Sequence, residues 1–213
     1  KDFKTPAAIF IVMQHGAELG LNPMQALQNI ALVNNRPAVW GTLVQALVQR
    51  SGIVKRRMQG CAEMVTVRAI AEGKWAGRTE ANAVMVDALS VRMRDRLADL
   101  KERKVNPPSN YLCGYAVFVI GDDVHVHIFD SAHAQTAGLL DKPGPWKQYP
   151  DRMHQHRAVT YLSRDCCGAA LTGLAGQATV EELVDMSGAL DVVAEEVKPS
   201  AATVSRMQEM SAA

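Results

Sequence analysis

The sequence predicts an α+β fold: a small, mainly antiparallel sheet of hairpins packed against helices, with a helical insertion at about residues 59–109. Three observations predict it. Two segments, 30–40 and 111–129, carry strand-like apolar runs around short turns, as paired strands do. Helix-start signals, a capping side chain followed by Pro, recur at Thr5-Pro6 and Asn22-Pro23, and Pro150 can open a further helix. A stripe at helical spacing, Met85, Leu89, Met93, Leu97 and Leu100, separates the two hairpins.

Taken in order, the first helix runs through AAIFIVMQHGAEL and stops at Gly20, which adopts the left-handed conformation at little cost. Asn22-Pro23 starts a short second helix, MQALQNI. ALVNNRPAVWG reads as a hairpin, since Asn34-Asn35 tolerate positive φ and Pro37 confines its strand to an edge or a bulge. Thr42 caps a third helix, TLVQALVQR, which Ser51-Gly52 ends. Thr79-Glu80 begins the long helix, expected to reach Lys104, and Asn106-Pro107-Pro108-Ser109 closes the insertion with a stiff turn. Its outer faces mix Arg92, Arg94, Arg96, Lys101, Arg103 and Lys104 with Asp87, Asp95, Asp99 and Glu102, the pattern of a solvated face. GYAVFVI and HVHIF alternate around Gly121-Asp122-Asp123 as two antiparallel strands, and Asp130 or Ser131 caps AHAQTAGLL. Thr179 starts a last helix with Glu181 and Glu182 in its first turn, and beyond Lys198-Pro199-Ser200 the chain is tail-like. The expected division is a core over 1–178 and an acidic C-terminal helical segment and tail over 179–213.

Composition narrows the function classes. Apolar residues at 48% and charged residues at 21% fit a soluble globular chain, and no apolar run reaches the ~18 residues of a membrane span. No signal peptide is read, and four cysteines without a Cys-x-x-Cys pair point to reduced thiols in the cytoplasm. Net charge is +1, but it is unevenly spread. Residues 1–180 hold 21 Lys and Arg against 15 Asp and Glu, and residues 181–213 hold 2 against 7. A basic body with an acidic tail suits a nucleic-acid binder.

The basic character peaks between Lys142 and Asp165, KPGPWKQYPDRMHQHRAVTYLSRD. Lys142, Lys147, Arg152, Arg157 and Arg164 face only Asp151 and Asp165, with Trp146, Gln148, Tyr149 and Tyr161 among them. From Pro150 the periodicity predicts a helix with Gln155, Ala158, Val159, Leu162 and Cys166 inward. It places His154, Arg157, Tyr161 and Arg164 on the opposite side. Cations interleaved with rings are what single-stranded nucleic acid requires, and ordinary surface arginines on a solvated face are the alternative. Arg36 in the first hairpin and Lys55, Arg56 and Arg57 after the third helix extend the candidate site.

GAELGLNPMQALQNIALVNNRPAVWGTLVQALVQRSG, together with GPWKQYPDRM followed by Arg157-Ala158 and Arg164-Asp165, resembles the RecT/Redβ family of phage-type single-strand DNA annealing proteins. FDSAHAQTAGLLDKPGPW resembles the strand–helix approach to the second of these motifs, and the resemblance covers about 7–57 and 111–175. Four departures stand out: Asn34-Asn35 where the family usually has Asn-Gly, Thr42 where an acidic residue commonly follows Trp-Gly, an acidic rather than basic tip at Gly121-Asp122-Asp123, and, the largest, about residues 59–109 where the family needs only a short bridge. The resemblance implies ATP-independent binding and annealing of single strands in homologous recombination, by a homo-oligomer arranged as a ring or helical filament. It also implies a companion 5′-3′ exonuclease and host single-strand binding protein as partners, and a bacterial cytoplasm with phage or prophage DNA as the setting.

No cofactor is expected beyond a non-specific divalent-cation dependence, since no phosphate-cradling Gly-x-x-x-x-Gly-Lys-Ser/Thr loop exists and no catalytic constellation is evident. His125 and His127 share a strand face and raise a metal-dependent nucleic-acid enzyme as one alternative, with His133 or Cys166 as further ligands. A partner-binding adaptor is the other. Trp40 is expected to be a core anchor, whereas Tyr149 and Tyr161 are the better candidates for contact with bases.

Overall fold

The computed structural model describes residues 5–33, 36–141, 143–171 and 179–180. Local capping chemistry sets its first elements. Thr5 accepts a hydrogen bond from the Ala8 N–H at 3.2 Å and begins helix α1 (Pro6–Glu18). Asn22 and Gln25 cap one another reciprocally at the start of α2 (Pro23–Asn29). Strands β1 (Ile30–Val33) and β2 (Arg36–Val39) pair antiparallel as a separate two-stranded sheet, with Leu32 opposite Pro37. Both strands of such a sheet are edges, which is why Pro37 is tolerated. The turn at Asn34-Asn35 lies outside the described residues. Helix α3 (Gly41–Ser51) follows, two residues earlier than the Thr42 cap implies because Trp40 holds the cap position, and ends at Gly52 with φ +69°.

The second sheet is where structure and sequence reading differ most. Val54–Glu63 is a ten-residue strand, β3, pairing antiparallel with β4 (Leu112–Ile120), which pairs in turn with β5 (Asp123–Asp130). Residues 59–63, expected inside the helical insertion, therefore belong to the sheet. Lys55, Arg56 and Arg57 lie on its edge strand, beside a register shift between Val54 and Arg56. The insertion proper comprises α4 (Met64–Ala71), a 3₁₀ turn at Glu80–Asn82 and α5 (Ala83–Glu102). Chain continuity then passes through α6 (Ser131–Thr136), the short α7 (Pro145–Gln148) and α8 (Pro150–Cys166).

The three-stranded sheet is covered on both faces. Ala116, Phe118 and Phe129 belong to one apolar cluster with Ala158, Val159 and Leu162 of α8, Leu43 and Leu47 of α3 and Val12 of α1. Tyr115, Val117 and Ile128 meet α4 and α5 through Val67, Ile70, Met85, Leu89 and Met93. Met85, Leu89, Met93 and Leu100 of the long-helix stripe are buried and Leu97 partly so, and the insertion supplies the second layer of the molecule.

One carboxylate fastens that layer. Asp130, fully buried, receives hydrogen bonds from Arg96 Nε at 2.7 Å, from the Tyr111 hydroxyl at 2.8 Å and from the His133 backbone N–H at 2.9 Å. Burial alone would raise its pKa, but the bonds from His133 and Arg96 outweigh burial and hold it below the usual carboxylate range. Arg96 also bonds Asp99, so α5, β5 and α6 share one charge network.

Gly114 fixes the other layer. A Cβ there would overlap the backbone of His154 and Gln155, so α8 crosses β4 at a distance that only glycine permits. Gly114→Ala is expected to cost about 1–3 kcal/mol, the range of overpacked cores. Thermal unfolding monitored by circular dichroism should show a correspondingly lower midpoint, while an unchanged midpoint would mean that the helix can shift freely.

Candidate nucleic-acid interface

Helix α8 carries most of the expected contact residues, and its placement divides them. His154 is 1% exposed and Arg157 6% exposed, so the side expected to face solvent is packed inside. His154 Nδ1 lies 2.7 Å from Pro150 O and its Nε2 3.3 Å from Ser131 Oγ, with the ring edge-on to Trp146. Burial pushes its pKa down despite the Pro150 carbonyl, so the ring is neutral at pH 7 and offers no charge to a phosphate. Tyr161, half-buried, packs edge-on to His127 and Phe129, and the Arg164 guanidinium lies 5.0 Å from its ring centre. These two residues therefore lie over β5, away from the edge that carries Lys55–Arg57. Trp146, at 3% exposure, is a core anchor, whereas Trp40 is only partly buried.

The residues that remain exposed are Lys147, Gln148, Tyr149 and Arg152, with Tyr149 at 60%. They sit on α7, at the junction of α7 and α8, and in the first turn of α8. Arg36 lies in β2 opposite Val33, and Lys142 lies outside the described residues, as does the acidic segment 181–213.

A furrow forms where α3 runs beside α8. Gly41 eases this approach, because a Cβ there would stand 3.0 Å from the His156 ring and 3.2 Å from Thr160 Oγ1, tighter than ordinary contact. Two cavities occupy the furrow. The first, about 210 Å³, is lined by Gln45 and Gln49 of α3, Lys55, Arg56 and Arg57 of β3, and Val159 and Ser163 of α8, over Phe118. The second, about 200 Å³, is lined by Thr42, Arg152, Met153, His156, Arg157, Thr160 and Thr179. Gln45 Nε2 stands 3.4 Å from His156 Nε2, so one contact joins the two cavities.

Facing stripes at helical spacing build this arrangement: Thr42, Gln45 and Gln49 on α3, and Arg152, His156, Val159 and Ser163 on α8. The stretch of α8 from Arg152 to Ser163 is about 16 Å long. Arg57 shares a face with its partner Phe118 and so points towards α8. Arg56 points to the other face and donates to Ala81 O at 3.0 Å, which ties it to the insertion. Gln45, Gln49, Thr42, His156 and Thr160 did not emerge from the sequence. The signal was present, because a polar stripe at i, i+3 and i+7 runs along an otherwise apolar α3.

Other parts of the surface suit an anionic strand less well. A wider groove of about 700 Å³ lies between α4 and α5, but there Arg68 and Arg94 are offset by Glu72 and Asp87, and Asp87 pairs with Arg78 at 3.0 Å. His125 and His127 do share the α8 face of β5, yet His127 Nδ1 lies 3.5 Å from an Asp165 oxygen. Among the described residues no group of three or more His, Cys, Asp or Glu side chains could hold a metal ion. Burial pushes the Cys61 thiol up to about 11 and the Cys166 thiol up to about 12, so neither is a thiolate nucleophile near neutrality. No helix among the described residues is long and apolar enough to cross a membrane. No family model, curated protein or solved structure matches the chain.

The buried, neutral His154 makes stability depend on pH. Its folded pKa lies below the unfolded value of about 6.5, so the unfolded chain binds more protons and stability falls as pH drops below that value. His127 is shifted in the same direction, also by burial. Urea unfolding at pH 7.5 and 5.5 is expected to show lower stability at the acidic pH. The loss should shrink, without vanishing, in His154→Asn.

Proposed function

We propose that this protein binds single-stranded DNA along the α3–α8 furrow and anneals complementary strands without ATP, as an oligomer. The observation that carries the reading is the convergence of Lys55 and Arg57 on edge strand β3 with the polar stripes of α3 and α8. Sequence distance concealed it. These cations are about a hundred residues from Arg152, yet both border the same furrow.

Such a surface suits a strand held by its backbone. Phosphates meet cations and amides regardless of sequence, and the bases stay available for pairing, which supplies specificity. Val159 and Phe118 give the first cavity an apolar floor against which a base can rest. Lys147, Gln148 and Tyr149 extend the surface beyond the start of α8, where the exposed tyrosine ring offers a stacking platform. The annealing step, the oligomeric state and the companion proteins rest on the resemblance of GAELGLNP, Trp40-Gly41 and GPWKQYPDRM to the RecT/Redβ family. Assembly fits the physics, since a stretch of about 16 Å spans only a few nucleotides and stable register needs more.

The test is annealing of two complementary oligonucleotides, added in sequence, in the absence of nucleotide. The wild type is expected to accelerate pairing and to lose affinity for the single strand steeply with salt. Lys55→Ala with Arg57→Ala should flatten the slope of log affinity against log salt by about 1.4, the loss of two single-strand phosphate contacts. Both side chains are exposed, so unfolding stability should stay within about 0.5 kcal/mol per substitution. Absence of strand binding at low salt would remove the proposal. Binding without pairing would reduce it to strand coating.

A further inference from the structure

The second cavity of the furrow differs from the first in chemistry. Its lining residues are Thr42, Arg152, Met153, His156, Arg157, Thr160 and Thr179, two of them arginines and, among the described residues, none an acid. Arg157 reaches it from within the fold at 6% exposure, and Arg152 is exposed at its rim. Its volume of about 200 Å³ is below the 300–1,000 Å³ usual for small-molecule sites, yet ample for a tetrahedral oxyanion with a few waters at about 30 Å³ each.

We infer that this cavity is a seat for one phosphate group of the bound strand, held by Arg157 from inside, Arg152 from the rim and the hydroxyls of Thr42 and Thr160. The assignment rests on the strand-binding reading above and adds a fixed point to it. A guanidinium presents paired N–H donors that match two oxygens of one phosphate, and a guanidinium taken out of water acts more strongly than an exposed lysine. Thr42 lies in the first turn of α3, whose positive end faces the same space. The Gln45–His156 contact then marks the step from the phosphate seat to the amphipathic first cavity. One phosphate is thereby held in a defined place, so the strand is registered on the protein rather than sliding over a diffuse basic surface.

The experiment is equilibrium binding of a short fluorescent oligonucleotide, with either a 5′-hydroxyl or a 5′-phosphate, to the full chain at several salt concentrations. Arg157→Gln and, separately, the exposed Arg152→Gln are expected to weaken binding about tenfold at low salt and to flatten the salt slope by about 0.7 each. Arg94→Gln, an equal loss of charge on exposed α5, should change neither. Because Arg157→Gln alters a buried position, Arg152→Gln carries the test if the former unfolds. Equal affinity for the two oligonucleotides identifies an internal diester, and preference for the phosphorylated one identifies a terminal monoester; either upholds the seat. Wild-type slopes in both variants would overturn the seat while leaving the strand reading intact. If the wild type binds no strand, the strand reading fails and inorganic phosphate becomes the probe. A phosphate-induced rise in unfolding temperature that Arg152→Gln abolishes supports the seat, and no rise overturns it.

Discussion

The close crossing of α8 over β4 at Gly114 governs the rest of this molecule. Because the helix lies against the sheet with no side chain between, residues on both of its flanks become interior. One flank faces β5 and fills with rings: Phe129, Trp146, His154 and Tyr161 pack within about 6 Å of one another's centroids in successive pairs. The other flank faces α3, and there the fill is incomplete, leaving two cavities bordered by cations and amides. The furrow and the aromatic core are two consequences of one packing distance.

Opposite that layer, the charge network around Asp130 secures the insertion. A carboxylate with three donors from three elements is costly to leave unpaired, so Arg96 and Tyr111 hold α5 and the start of β4 against β5 and α6. The insertion therefore acts as a covering layer, some of whose outer charges pair with one another, as in Arg78–Asp87, Lys74–Glu72 and Arg103–Asp99. Its mixed-charge surface contrasts with the β3 edge, where Lys55, Arg56 and Arg57 follow one another.

Much of this architecture is legible in the sequence, for identifiable reasons. Thr5, Asn22 and Asp130 cap the helices they precede, because a short polar side chain before a helix satisfies amides that nothing else can reach. Alternation revealed β4 and β5, whose faces are buried against different helices. It could not reveal β3, since VKRRMQGCAE lies at an edge, carries a register shift and puts three cations in succession. The α8 reading erred for a related reason. Periodicity assigns a helix one buried face, but a helix lying on a sheet and beside a second helix buries more than half its circumference. His154 and Ser163 are tolerated inside because each meets a backbone carbonyl four residues earlier, at 2.7 and 2.8 Å. Of the candidate site, the cations were legible and their grouping was not, because grouping depends on the pairing of β3 with β4.

The central claim is that a single strand lies between α3, α8 and β3. Photo-crosslinking tests it most directly: a halogenated-deoxyuridine oligonucleotide is bound to the full chain at low salt, irradiated, and the modified peptides are identified by mass spectrometry. Adducts within 41–59 and 145–163 are the expected result. Adducts confined to the insertion at 64–104, or to β5, would place the strand elsewhere and contradict the account.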